Sequence, residues 1–400
     1  MNSAFSAQNR KRLMKKLQGG LVVLSAYDAM QWSGDMATPF RQEANFYYLT
    51  GIAEPSWWVI IEGLNAKTYL VRPTQSEQEV LFEGTFSDNS AKNQSGAQEV
   101  IARQAGFDAL RQLARQHHVV YTYDLPAPVS PPSFLINPAL KNMTQLLQRH
   151  YMHVRSCHQE LAELRAIKQP VEVSAIKKAV SLSVQAHQYV RENIDSFRYE
   201  YEIEAALFHH IREAGADGWA YEPIVASREN ACTLHYAKNN ARLHKGSHIL
   251  LDAAARYKGY SADITRTLAY GEVSPRSKQI HATVRQAQQA IIRLLKPTLS
   301  AHDLQAQSDA MMKQALLEVG LIHTLDDPAW RTYYPHAIGH AVGLNTHDPL
   351  GFQQLKPGMI LTIEPGIYIK KERLGVRIED TVLITKTGSI NLSKKLPHTD

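Results

Sequence analysis

A chain of 400 residues with an apolar fraction of 44% exceeds the size at which one hydrophobic core usually stops growing, so two globular domains are expected. Lys and Arg outnumber Asp and Glu by 44 to 38, a formal charge of +6, but the two signs are interleaved along the chain, which argues for a solvated surface and against nucleic-acid binding. No apolar run approaches the ~20 residues of a membrane span. The two cysteines, Cys157 and Cys232, cannot staple a chain this long and suit a reducing compartment.

In chain order, the stretch from Met1 to Gly20 is basic and poor in acids, as transit peptides are. Leu13 and Leu17 at i, i+4 nevertheless fit an amphipathic helix running into a strand at Leu21–Ser25, so a structural first helix is expected. With no secretory apolar core, the expected location is the cytoplasm. Further strands are predicted at residues 57–61, 68–71 and 119–123, with a helix over 97–117, which is the pattern of an α/β domain. No His, Asp or Glu cluster at ligand spacing occurs there, and Pro126 to Pro132 and Pro138 mark loops near its end.

The stretch from Lys168 to Val173 reads as a boundary region, with Pro170 near a helix start. Helices follow at 171–194 and 200–214, the second closing at Gly215, and strands at 222–226 and 248–253 lead into a first hairpin. Two more helices, 275–295 and 301–319, separate it from a His-rich segment and a second hairpin. Helix pairs alternating with hairpins imply an α+β domain in which an antiparallel sheet is covered by helices on one face. The expected division is a smaller α/β domain at 1–155 and an α+β domain at 156–400.

Chemistry concentrates in the hairpins. Centring the first turn between Tyr257 and Lys258 sets Asp252 opposite Asp263, and centring the second between Lys371 and Glu372 sets Glu364 opposite Glu379. Like charges directly opposed destabilise a sheet, so a cation is expected between them. One such pair is commonly chance or solvated surface, whereas two pairs embedded in apolar strands point to a shared cation site.

Between the hairpins lie His336, His340 and His347 among small residues, with Gly339 and Gly343 allowing close approach of backbone or substrate. A single histidine is more often structural, but this cluster reads as functional. His336 and His340 stand at i, i+4, yet Ala337 occupies the place of the zinc-protease glutamate, so that helix motif does not apply.

A carboxylate-rich site with one histidine prefers Mn²⁺, or an adaptable Zn²⁺ or Co²⁺. Four carboxylates exceed the needs of one ion, so two divalent ions are expected. Metals roughly 3.5–4 Å apart share one water and lower its pKa from ~15.7 towards ~7, giving a bridging hydroxide and hence hydrolysis. A dinuclear redox protein is the alternative at this point, though such sites usually sit in four-helix bundles with Glu-x-x-His motifs.

The motifs around Asp252 (Leu-Leu-Asp), Asp263 (Ser-Ala-Asp-Ile-Thr-Arg-Thr), His340 (His-Ala-Ile-Gly-His), Glu364 (Thr-Ile-Glu-Pro-Gly) and Glu379 (Val-Arg-Ile-Glu-Asp) resemble those of the pita-bread metallopeptidases, which include methionine aminopeptidase, prolidase and aminopeptidase P. The resemblance implies that Asp263 and Glu379 bridge both ions, that Asp252 completes one, and that His340 and Glu364 complete the other, with Glu364 also an acid/base. It further implies that His235 contacts the scissile region or shuttles a proton, and that His347 stabilises the tetrahedral intermediate or shapes the leaving-residue pocket. His336 and Arg377 match further pocket positions, and Tyr368 is either a pocket residue or a plain core aromatic. Residues 35–51 resemble the amino-terminal domain of aminopeptidase P, which methionine aminopeptidases lack. Thr38 departs by standing where an aromatic is common, and residues 81–86 lack the usual tryptophan.

The activity implied is release of an N-terminal residue preceding proline from peptides, by a homo-oligomer, dimer or tetramer, with no nucleic-acid or membrane partner. A bond before proline is a tertiary amide without an N–H, which proteases that bind extended strands cannot engage fully. A prolidase acting on Xaa-Pro dipeptides is the nearest rival reading. A non-catalytic interaction protein on the same fold is the distant one.

Overall fold

The computed structural model describes residues 2–123 and 135–398, so the loop expected from Pro126 to Pro132 lies outside the described residues. The chain divides into two compact units, Met1–Leu164 and Arg165–Asp400.

In the first unit, α1 (Ser3–Lys16) is capped by Asn2, whose side chain accepts from the Phe5 N–H. Leu13 and Leu17 are buried, as their spacing predicts. There follow β1 (Leu21–Ser25), a small hairpin of β2 (Gln31–Ser33) and β3 (Met36–Ala37), α2 (Ala44–Thr50), β4 (Trp58–Glu62), β5 (Lys67–Val71), α3 (Glu77–Glu83) and α4 (Asp88–Ser95). Beyond these come β6 (Glu99–Ile101), α5 (Arg103–Leu113), β7 (Val119–Thr122), α6 (Ala139–Gln148) and β8 (His153–Ser156). The main sheet has the mixed order β6-β5-β4-β1-β7-β8. It buries Leu21, Val23, Ile60 and Val120 against Leu110, Met143 and Leu147 of the helices, which is the α/β pattern expected.

One element differs from expectation. The single helix predicted over 97–117 is a strand followed by a shorter helix, because Glu99–Ile101 pairs in parallel with β5. The adjacent Val100 and Ile101 favour a sheet edge, and α5 starts only after Ala102, which is extended. Gly106 then brings α5 onto β5: a Cβ there would lie 2.4 Å from a methyl of Val71.

Helix α7 (His158–Ala166) runs across the division, and the second unit continues with α8 (Pro170–Glu192) and α9 (Glu200–Glu213). Proline in the first turn of α8 forgoes only an N–H that has no helical partner, and α9 ends at Gly215, whose φ of +87° suits glycine. Next come β9 (Gly218–Trp219), β10 (Ile224–Ser227), β11 (Ser247–Asp252), β12 (Ala255–Tyr257), β13 (Tyr260–Ser261) and β14 (Thr265–Tyr270). The helices α10 (Pro275–Leu294), α11 (Ala301–Glu318) and α12 (Trp330–Tyr333) precede β15 (Ile360–Ile363), β16 (Gly366–Ile369), β17 (Leu374–Arg377), β18 (Asp380–Ile384) and β19 (Ser389–Asn391).

Every strand pair of this unit is antiparallel, in the sets β10-β11-β14, β13-β12-β9, β15-β18-β19 and β16-β17. The pair α8 and α9 buries Leu182, Val190, Ile203 and Leu207 against Val225, Ile249 and Leu251. The pair α10 and α11 buries Ile280, Val284, Met312 and Leu316 against Ile367, Ile369 and Val376. This is the expected α+β arrangement of antiparallel strands covered by helix pairs. Among the described residues no helix is long and apolar enough to cross a membrane, and both cysteines are free.

The two hairpins fare differently. The second has the predicted register, with Gly366 opposite Arg377 and Ile369 opposite Leu374. In the first, Tyr257 pairs with Tyr260 and Arg256 with Ser261, so the turn is Lys258-Gly259 rather than Tyr257-Lys258. The same register continues into β11 and β14, where Asp252 faces Thr265 and not Asp263. The cause lies in the turn: Lys258 and Gly259 both have positive φ, 50° and 79°, as a two-residue hairpin loop of the primed type requires. A turn one position earlier would have left Gly259 in a strand and put Tyr257 in that strained conformation.

Candidate metal centre

Five short connections converge at one end of the second unit's strands. Asp252 closes β11, Asp263 lies between β13 and β14, Glu364 follows β15, and Glu379 stands between β17 and β18. His340 precedes a bridge of Ala341 to Leu361 and to Asp348, which holds its segment along β15. The backbone repeats that tie, since Thr362 N–H donates to the His340 carbonyl at 2.8 Å and His340 N–H donates to Thr362 Oγ1 at 3.0 Å. Gly339 permits this approach, because a Cβ there would meet the Thr362 carbonyl oxygen at 2.1 Å.

The proposed ligands and pocket residues other than Tyr368 border one cavity of about 550 Å³: Asp252, Asp263, His340, Glu364 and Glu379, with His235, His336, His347 and Arg377. Donor atoms of Asp263, His340 and Glu379 lie within 4.8 Å of one another. His340 Nε2 is 3.4 Å from Asp263 and 3.5 Å from Glu364. Asp252, beside that cluster, has both oxygens engaged: it accepts from the Tyr221 hydroxyl at 2.5 Å and from Arg377 Nη2 at 2.6 Å. Thr265 donates to Glu379 at 2.7 Å and Thr362 to Glu364 at 3.1 Å, so the carboxylates are oriented by hydroxyls of the strands beneath them.

The electrostatics show what the pocket lacks. Burial, then the neighbouring Asp252 and Glu364, pushes the Asp263 carboxyl well above its usual range. Burial, then Asp263 and Glu364, does the same for Glu379, and burial raises Glu364 to about 7. Burial lowers His340, and it takes His336 and His347 down to about 4, leaving neutral imidazoles with lone pairs to offer. Four carboxylates thus face one guanidinium, Arg377, which is already committed to Asp252. Crowded oxygen donors with one neutral imidazole and too little positive charge fit divalent cations by donor chemistry and by charge.

The other histidines of the cavity are held by neighbouring side chains, and the His347 ring lies 4.1 Å from that of His340. His336 Nε2 meets the Tyr368 hydroxyl at 2.9 Å, which also accepts from Arg377 Nη1 at 2.9 Å. Tyr368 is therefore a buried residue that bridges two cavity groups rather than lining the cavity itself. His235 lies on a loop organised by the buried Glu200, whose carboxylate accepts from the N–H and hydroxyl of Ser227, both at 2.8 Å. Glu200 also accepts from the Tyr236 hydroxyl at 2.8 Å and the Ala241 N–H at 2.9 Å. His347 is followed by Asp348, which is fully buried between Arg165 and Lys168. Burial alone would raise the Asp348 carboxyl, but these two cations hold it below its usual range.

Sequence reasoning missed Tyr221, Thr265 and the Arg165 and Lys168 pair. None carries a local signal, since each meets its partner only through tertiary closure.

Residues 174–386 match the model of metallopeptidase family M24, and residues 6–121 match that of the aminopeptidase P N-terminal domain. The Xaa-Pro aminopeptidase of Escherichia coli is 27% identical over 413 residues, covering 96% of this chain and 93% of that one. A structure of E. coli aminopeptidase P with the inhibitor Pro-Leu superposes with a TM-score of 0.88 at 25% identity, covering 99% of this chain and 96% of that one. Proline aminopeptidase P II from Yersinia pestis has a TM-score of 0.88 at 26% identity, covering 100% of this chain and 98% of that one. The catalytic-half motifs, the antiparallel fold and these matches agree: the chain belongs to metallopeptidase family M24, on its aminopeptidase P branch, with the pita-bread fold.

Proposed function

We propose that the chain is a dimetal-dependent Xaa-Pro aminopeptidase that removes the N-terminal residue preceding proline from peptides. The observation that carries this reading is the convergence of Asp263, His340 and Glu379 donors within 4.8 Å, in a cavity also lined by Asp252, Glu364, His235, His336, His347 and Arg377. Asp263 and Glu379 would hold both ions, Asp252 one, and His340 with Glu364 the other. When bound, the two divalent ions supply Lewis acidity for the scissile carbonyl and lower the pKa of a water between them.

The remaining steps belong to the chain's own groups. Glu364, a carboxylate of the cavity wall whose oxygen lies 3.5 Å from His340 Nε2, is placed to take the proton of the attacking water at Oε and return it to the proline nitrogen. His235, His336 and His347 enclose a space for the proline ring and for the developing oxyanion. Arg377 holds Asp252 by a hydrogen bond and, through Tyr368, fixes the His336 ring.

The carboxylate-rich donor set favours Mn²⁺ over thiophilic ions, with Zn²⁺ and Co²⁺ as substitutes. The proposal includes a catalytic domain at 156–400 behind an amino-terminal domain at 1–155, a cytoplasmic location, which the free cysteines suit, and a homo-oligomeric state.

The test is digestion of Ala-Pro-Ala and of the Ala-Pro dipeptide by metal-stripped protein reconstituted separately with Mn²⁺, Zn²⁺ and Co²⁺, with Asp263→Ala as control. Release of alanine from the tripeptide is expected, with loss of about a hundredfold or more in Asp263→Ala. Turnover of the dipeptide alone would make the protein a prolidase, and no turnover with any ion would make it a non-catalytic relative.

A further inference from the structure

Arg266 is buried directly after Thr265, the residue whose hydroxyl donates to Glu379. Alternation along β14 sends these two side chains to opposite faces, so the guanidinium points away from the cation-binding cluster. Its five N–H donors meet five oxygens: Nη1 donates to the carbonyls of Thr265 at 2.8 Å and Glu379 at 2.7 Å, Nη2 to Asp380 Oδ1 at 2.7 Å and the Leu396 carbonyl at 3.0 Å, and Nε to the Pro397 carbonyl at 3.0 Å. The buried Asp380 carboxylate is filled in the same way. Beyond Arg266 it accepts at Oδ2 from Gln288 Nε2, Asn391 Nδ2 and His398 Nε2, each at 2.7 Å.

These contacts close a ring, because Asp380 follows Glu379, His398 follows Pro397, and Arg266 joins Pro397 to both Thr265 and Glu379. The ring backs the two carboxylates proposed to hold both ions. The Glu379 N–H donates to the Thr265 carbonyl at 3.0 Å, and the Thr381 hydroxyl donates to the Asp263 carbonyl at 2.7 Å. The segment after β19 completes it. Leu392 N–H donates to the Thr381 carbonyl at 2.9 Å, Thr381 N–H donates to Ser393 Oγ at 3.1 Å, and Leu396 is buried.

A buried guanidinium–carboxylate pair adds little net stability, because desolvation offsets the attraction, so its clearer effect here is to fix geometry. We infer that His398 is a positioning residue for the metal centre: by holding Asp380 against Arg266 it sets the spacing of the Asp263 and Glu379 carboxylates. This rests on the dimetal reading above. Metal–ligand distances hold to within ~0.2 Å, so a loosened strand weakens ion binding.

The experiment titrates full-length, metal-stripped protein with Mn²⁺ by isothermal calorimetry, in the unaltered chain and in His398→Ala and His398→Gln. The glutamine amide nitrogen takes the place of His398 Nε2 and keeps the donor to Asp380 without the ring. His398→Ala is expected to bind Mn²⁺ about tenfold more weakly, and His398→Gln to recover the affinity to within about twofold. A second readout is the rise in melting temperature that a fixed Mn²⁺ concentration produces over each variant's own metal-stripped form. That rise should shrink in His398→Ala and return in His398→Gln, and a general loss of stability cancels from it. Unchanged Mn²⁺ affinity in His398→Ala would make His398 a brace of the fold alone and overturn the inference. Equal weakening in both variants would overturn it too, since the donor to Asp380 would then not be the cause. Failure of the unaltered protein to bind Mn²⁺ would overturn the dimetal reading and this inference with it.

Discussion

Glu172 offers a test of how burial governs a carboxylate in this fold. It lies in the first turn of α8, is 1% exposed, and accepts from the Tyr260 hydroxyl and the Gln169 N–H, both at 2.9 Å. Burial, aided by the like charge of Asp348 and opposed by Lys168 and these hydrogen bonds, raises its pKa from 4.5 to about 7. Below the unfolded value both states hold the proton. Between 4.5 and about 7 the folded chain keeps a proton that the unfolded chain has released, so stability falls as pH rises through that window and levels off above it. At ~1.4 kcal/mol per pH unit the loss is about 3 kcal/mol. Glu172→Gln is a permanent neutral acid that retains both contacts, its amide oxygen accepting from Gln169 and its amide nitrogen donating to Tyr260. Urea unfolding from pH 4.5 to 8, at fixed divalent-ion concentration, should give equal stabilities at the acid end and a variant more stable by about 3 kcal/mol at pH 8. The raised carboxyls of Asp263, Glu364 and Glu379 are common to both proteins and cancel in the difference. A difference that stays flat with pH would refute the assignment of the buried proton to Glu172.

Two further outcomes follow from the packing. Asp348→Asn removes the carboxylate that pairs with Arg165 and Lys168, whose side chains are 3% and 1% exposed, and should destabilise the protein by about 3–5 kcal/mol in thermal melting. The triple change Arg165→Met, Lys168→Met, Asp348→Leu should restore most of that loss, and a cost below ~1 kcal/mol for Asp348→Asn would show that the ionic cluster does not hold the His347 segment. Gly339→Ala drives a methyl into the Thr362 carbonyl oxygen and must displace His340, which is tied to Thr362 by two hydrogen bonds. It should cost about 1–3 kcal/mol and lower the divalent ion retained after dialysis, as read by elemental analysis, and unchanged metal content would contradict the geometry.

Local pattern was enough to reveal the alternation of helix pairs with hairpins and the register of the second hairpin, while His235 and Arg377 were picked out by family motifs. Those features depend on short-range periodicity and on motif spacing, which the chain carries whatever its tertiary state. The turn at Lys258-Gly259 needed the structure, because the choice between neighbouring turn positions rests on which residues accept positive φ. So did β6, whose strand state comes from pairing with β5 rather than from its own propensity. The supports of the site were least legible. Asp348 meets Arg165 and Lys168 across 183 and 180 residues of chain, and Tyr221 meets Asp252 across 31. Such partners are selected by burial, where an ionised group must find a counter-charge or hydrogen bond, and burial exists only once the sheets and helices have closed around it.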